Sequence, residues 1–144
     1  LYGVGYMAAN VIVFYYFNAL SSEGNESFDV FNGLASKDRF GAILIAVSML
    51  SLAGIPLTVG FAGKYSIFMA AFQSYPWLVG VALLGSAISI AYYFRILKSV
   101  FFTEGSANSN STVLDKFVLL VAAALIIGLG IAPAILTQLS QVKY

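Results

Sequence analysis

The feature that most limits how this chain folds is the apolar run from Gly41 to Gln73, which is overlong for one membrane crossing and interrupted from within. A continuous helix over this run would reach about 50 Å, against a hydrocarbon core of about 30 Å. Gly54 and Pro56 fall in its middle. Proline lacks an amide donor and its ring collides with the preceding turn, so the helix is expected to kink or unwind over Gly54–Leu57. Lys64 then places a cation in the second half of the run. At membrane depth a lysine costs roughly 2.5–3.5 kcal/mol on insertion scales. Unwound backbone is tolerated in a membrane only where protein buries it or where it lines a wet cavity. A break and a charge so close together predict an ion-handling site, and the rest of the chain reads as packing around it.

Composition sets the class. The chain is 60% hydrophobic and 9% charged, where a soluble domain carries about 25% charged residues. This is the balance of an integral membrane protein, and a net charge of +1 gives no reason to expect a nucleic-acid partner. The sequence has neither cysteine nor histidine, which excludes Cys/His zinc sites, iron–sulfur ligation, His-ligated haem and disulfides within it. No metal or cofactor site is expected in this chain. It begins at Leu1, already inside an apolar stretch, with no initiator Met or cleavage site before it. It is therefore expected to be a piece of a longer protein.

The predicted architecture is an all-α membrane protein forming a single domain over 1–144. Four transmembrane helices are expected at about 1–20, 41–73, 78–102 and 113–136, with the second broken at Gly54–Pro56. Polar loops fill 21–40 and 103–112. In the first loop Phe28, Phe31, Leu34 and Ala35 recur at helical spacing, which predicts a short amphipathic helix on the membrane surface. Tyr75 and Trp77, around the turn at Pro76, suit the headgroup level. Gly85 and Ser89 form a small-xxx-small pair suited to close helix approach, and Gly128 and Gly130 offer the same in the last span. Pro133 is expected to end or kink that span.

Several polar side chains could serve a path. Asn10 shares a face with Tyr6 and Phe14 and reads either as an interhelical hydrogen bond or as a water-wire residue. Tyr65 and Ser66 flank Lys64, and Ser86, Ser89 and Tyr93 make a polar stripe on the next span. These are candidates to hold water near the lysine, against the plainer reading that buried hydroxyls bond between helices. Glu23, Glu26 and Asp29 read as solvated loop acids rather than a catalytic pair. Arg95 and Lys98 read as snorkelling to the interface.

Basic residues set the orientation. Lys37 and Arg39 lie between spans one and two, and Arg95, Lys98 and Lys116 border the junction of three and four. The other side has only Lys143, so the charged loops are expected in the cytoplasm and the C-terminus on the far side. Every Asp and Glu lies in or beside a loop, so no span supplies Lys64 with a counter-ion. Either the lysine is neutral part of the time, or its carboxylate lies in another segment or subunit. Both solutions describe a proton-transfer lysine. The bland alternative is a lysine snorkelling to the far interface.

These residues carry a resemblance. The segment Leu50–Tyr65, LSLAGIPLTVGFAGKY, together with Gly85–Arg95 and Phe31–Leu34, closely resembles the antiporter-like membrane subunits of respiratory complex I, the type I NADH:quinone oxidoreductase. Within these it is most similar to the subunit N group, the bacterial counterparts of mitochondrial subunit 2. The resemblance covers essentially the whole chain and implies the last four helices of a longer subunit. It implies a place in the bacterial inner membrane and, as partners, other membrane subunits of complex I, the lipid bilayer and the missing N-terminal helices. It implies that Lys64 is the lysine of the second broken helix, passing protons toward the far side. NAD, FMN, iron–sulfur clusters and quinone would then sit elsewhere in the assembly. Two other readings stay open: a subunit of a multi-subunit cation/proton antiporter, whose large subunits share the break and lysine, and a structural membrane scaffold with Lys64 inert.

Overall fold

The computed structural model describes residues 2–21, 27–105, 107 and 112–141; Glu23, Glu26 and Lys143 lie outside them. The described chain is all-helical. Helix α1 covers Tyr2–Leu20, a 3₁₀ turn Phe28–Phe31, α2 Leu34–Lys37, α3 Arg39–Ala53, α4 Val59–Phe72, α5 Pro76–Phe102 and α6 Val113–Gln141. Among the described residues, three stretches are long and apolar enough to cross a membrane: Tyr2–Leu20, Pro76–Phe102 and Val113–Ala132, of which the last is the most apolar, with mean hydropathy 2.3. Helices α3 and α4, at 15 and 14 residues, are shorter. Each spans only about 20 Å.

Helices α1 and α3 hold the centre. Helix α1 packs on α3, α4 and α6, and α3 also touches α5 and α6. The core between them is formed by Ile12, Tyr16, Ile45, Met49, Val59 and Ile126, among others, all at most 2% exposed. Asp38 starts α3 by accepting a hydrogen bond from the Gly41 amide at 2.9 Å, the expected role of a side-chain oxygen at a helix N-terminus. Tyr16 lies against Gly41, where any Cβ would stand 2.5 Å from its ring. Outward faces are apolar and exposed, most of all along the first half of α5, where Trp77, Leu84 and Ile88 are bare within this chain.

Three expectations change. The segment 28–37 is two short pieces rather than one amphipathic helix, because Gly33 between them adopts a left-handed φ of 71°. Its other face is pressed on the Gly105 backbone, 2.6 Å from where a Cβ would be. Val30, Phe31 and Leu34 enter the core rather than lying along a surface. In the last helix, Pro133 does not end α6, which runs on to Gln141. Finally, none of the described residues lies within 4 Å of a Cβ placed at Gly85 or Gly128, so neither marks a close helix approach among them, whereas Gly130 does, against Leu57 and Thr58.

Both polar connections meet at one end of the bundle. The Gly33 amide donates to the Ser99 carbonyl at 3.2 Å, the Ser99 hydroxyl donates to the Asn32 side chain, and Gly33 touches Gly105. Asp115, in the first turn of α6, accepts from the Thr112 amide at 3.0 Å and from the Thr112 hydroxyl at 2.6 Å.

Candidate functional site

The site is built where α3 stops. The last four carbonyls of a helix have no partner inside it. Here all four are accounted for. Gly54 turns into the left-handed region at φ 85°. Its amide donates to Ser51 O at 3.0 Å, and the next amide, of Ile55, donates back to Leu50 O at 3.0 Å. This pair of bonds is the Schellman ending, for which glycine is suited because it has no Cβ to clash at positive φ. The two remaining carbonyls are taken by one side chain: Lys64 Nζ donates to Leu52 O at 3.0 Å and to Ala53 O at 3.2 Å.

Lys64 reaches them because helical side chains lean toward the N-terminus of their own helix. From the second turn of α4 that direction leads back to the end of α3 and the 54–58 link. The stem lies along Gly54, with Cδ 3.1 Å and Nζ 3.4 Å from the position of an added Cβ. The negative end of the α3 dipole favours a cation there. Among the described residues, both hydrogen bonds of Lys64 go to backbone carbonyls and no ion pair joins it.

Residues 54–58 link the two helices tightly. The Ile55 carbonyl accepts from the Thr58 amide at 3.3 Å and from the Thr58 hydroxyl at 2.7 Å. Pro56 and Leu57 occupy the middle of this turn, and Leu57 takes a φ of 77°. Proline second and positive φ third is the layout of a type II turn, in which the third place normally goes to glycine. Close packing fixes the link from several sides. A Cβ on Gly60 would stand 1.8 Å from the Ser51 carbonyl oxygen, one on Gly63 would strike Tyr2, one on Gly5 would strike Val59, and one on Gly130 would strike the Leu57–Thr58 backbone.

The other candidates divide. The Ser66 hydroxyl donates to Ala62 O at 2.8 Å and that of Ser89 to Gly85 O at 2.9 Å, each one turn back along its own helix. Tyr65 is exposed and stacks on Phe61. Ser86 lies partly covered on α5. Asn10 donates to the Tyr6 carbonyl at 2.7 Å, and Asn10, Tyr6 and Tyr93 line a groove of about 220 Å³ between α1, α3 and α5. Leu52, whose carbonyl holds Lys64, also lines it. So the structure gathers Lys64, Gly54 and the link at one place, puts Asn10 and Tyr93 along an adjoining groove, and leaves Ser66 and Ser89 engaged with their own helices. The carbonyls of Leu52 and Ala53 are what residue types alone miss; the only sequence signal for them is Gly54, which marks where a helix ends. No group of three or more His, Cys, Asp or Glu gathers among the described residues to hold a metal.

A family model described as NADH:quinone oxidoreductase/Mrp antiporter, TM matches residues 1–89. The chain belongs to this family. Among its relatives, NADH-quinone oxidoreductase subunit N of Cytophaga hutchinsonii is 32% identical over 145 residues, covering 98% of this chain and 32% of the relative. The corresponding subunit N of Laribacter hongkongensis is 38% identical over 139 residues, covering 92% and 29%. In solved structures, a chain of respiratory complex I from Thermus thermophilus with bound aureothin superposes with a TM-score of 0.83 at 28% identity, covering 92% of this chain and 31% of that one. The chain thus spans about a third of the length of the family members it matches.

Proposed function

We propose that this chain is the part of a complex I membrane subunit, of the subunit N kind, that carries protons through Lys64. The observation that carries the reading is the placement of Lys64, a lone cation on an apolar helix aimed into a helix break, in a chain whose relatives bear the name of subunit N. On this reading α3 and α4 together make one interrupted crossing, the second in chain order, which brings the crossings to four, since neither alone reaches across about 30 Å of hydrocarbon. The polar end formed by the two connections faces the cytoplasm of a bacterial inner membrane, by the placement of Lys37, Arg39, Lys98 and Lys116. The bare apolar faces are covered by lipid, by upstream helices of the same subunit and by neighbouring subunits. NAD, FMN, iron–sulfur clusters and quinone belong to other parts of the assembly, and energy from their chemistry reaches this chain only as a change in the electrostatics around the lysine.

A proton carrier must change charge during turnover, so its two forms must lie close in energy. The carbonyls of Leu52 and Ala53 favour the ammonium, and burial among apolar helices opposes it. A charge arriving from a neighbouring helix then tips the balance, each pKa unit amounting to about 1.4 kcal/mol. Arginine could hold the charge but not release a proton. In the full complex reconstituted into vesicles, Lys64→Ala is expected to abolish this subunit's share of proton translocation per NADH oxidised, and Lys64→Arg is not expected to restore it. Assembly on native gels should be unchanged. Normal stoichiometry in Lys64→Ala would leave the lysine structural. A second reading, a cation/proton antiporter subunit, is favoured by the wording of the family description itself; proton movement coupled to a sodium or potassium gradient, without dependence on NADH, would decide for it.

A further inference from the structure

One side chain bridges the two halves of the break. Lys64 belongs to α4, and both of its hydrogen bonds end on α3, 11 and 12 residues earlier in the chain. We propose that Lys64 is a charge-dependent latch: its ammonium completes the C-terminal cap of α3, so that loss of the charge loosens α4 and the 54–58 link from α3. This rests on the proton-carrier reading and adds to it a mechanical consequence of the same protonation.

The argument is one of satisfaction. The Schellman bonds settle Leu50 and Ser51, and among the described residues only Lys64 settles Leu52 and Ala53. Hydrogen bonds from a charged donor are roughly twice as strong as neutral ones. A neutral amine keeps donor hydrogens but loses both that strengthening and its attraction to the helix dipole. No other described charge stands in for it. Tyr2 of α1 faces this part of α4 through Gly63, and α3 presents backbone. Asp38 caps the other end of α3. Asp115 bonds Thr112 at the start of α6, and Arg95 and Lys98 lie in the last turns of α5. The link is also poised to respond, because Leu57 holds a strained positive φ that nothing but its surroundings maintains.

The test is hydrogen exchange, read by mass spectrometry on the full-length subunit within the intact complex in detergent. The reporting amides are Gly54, Ile55, Thr58 and Ala62, all hydrogen-bonded around the break. Lys64→Met, close in length and without charge or donor, is expected to exchange at these positions about tenfold faster than the native complex, the least expected for losing hydrogen bonds from a charged group. Lys64→Arg, which keeps charge and donors, is expected to stay within about threefold of native while failing to pump. Should Lys64→Met not assemble, Lys64→Gln, too short to reach both carbonyls, gives the same comparison. Native-like exchange in the uncharged variant, or equally fast exchange in Lys64→Arg, overturns the latch. Pumping by Lys64→Arg with native-like exchange would overturn the proton-carrier reading and leave the cap standing.

Discussion

Leu57 sits at φ 77° in a turn position that suits glycine, and its side chain is 71% exposed within the chain. A left-handed conformation costs a non-glycine residue roughly 1–2 kcal/mol, while glycine brings a chain-entropy penalty of about 0.5–1 kcal/mol. Little packing within this chain is lost on truncation. Leu57→Gly is therefore expected to be neutral or to stabilise by up to about 1 kcal/mol, and Leu57→Val, β-branched at a positive φ, to destabilise by a similar amount. The check is the thermal unfolding midpoint of the full-length subunit; a clear loss of stability in Leu57→Gly would mean that the leucine side chain is held by a partner outside this chain. Lys64 shows how far single residues were legible. A charge in an apolar run announces itself, and so does a Gly-Ile-Pro break. The acceptors of Lys64 do not, because a helix-terminal carbonyl is the same group on every residue. Only the fold tells which carbonyls are left over.

At the scale of elements, glycines decide how closely α3, α4 and α6 meet around the link. Gly60→Ala would drive a methyl to 1.8 Å from the Ser51 carbonyl oxygen, a backbone atom that cannot step aside. A cost of about 3 kcal/mol, at the upper end for overpacking, is expected, with loss of the subunit from membranes. Gly85→Ala meets nothing within 4 Å inside this chain and is expected to change stability by less than about 0.5 kcal/mol. Quantifying the assembled subunit in membranes separates the two; equal levels for both variants would mean that α4 does not lie on α3 this closely. The long helices α1, α5 and α6 were readable because unbroken apolar length is itself the signal. The segment 28–37 was not. Its apolar spacing is helical, but the Gly105 backbone presses on Gly33 and Ser99 bonds Asn32, contacts from residues far along the chain that no local pattern carries. Of the two outcomes expected at Pro133, an end to the helix is not the one found, since α6 continues to Gln141.

At the scale of the whole molecule, the candidate polar groups among the described residues form no single stripe. The sequence offered Tyr65, Ser66, Ser86, Ser89, Tyr93 and Asn10 as equals. In three dimensions the hydroxyls of Ser66 and Ser89 bond the carbonyl one turn behind them, a bond made inside one helix and needing no water. Asn10 and Tyr93 instead share the groove between α1, α3 and α5, whose wall includes Leu52, the residue whose carbonyl holds Lys64. That groove is mostly apolar, so water in it depends on the few polar groups that line it. If protons reach Lys64 from this side, removing one of these groups should slow transfer without disturbing the cap. Tyr93→Phe and Asn10→Ala are expected to lower the rate of proton translocation in the reconstituted complex about tenfold, which corresponds to about 1.4 kcal/mol on the rate-limiting barrier. Ser66→Ala should leave it unchanged, with assembly intact in all three. Loss in Ser66→Ala with full activity in Tyr93→Phe and Asn10→Ala would place the route on the exposed side of α4, where Tyr65 and Phe61 stack, and the groove would then be packing space alone.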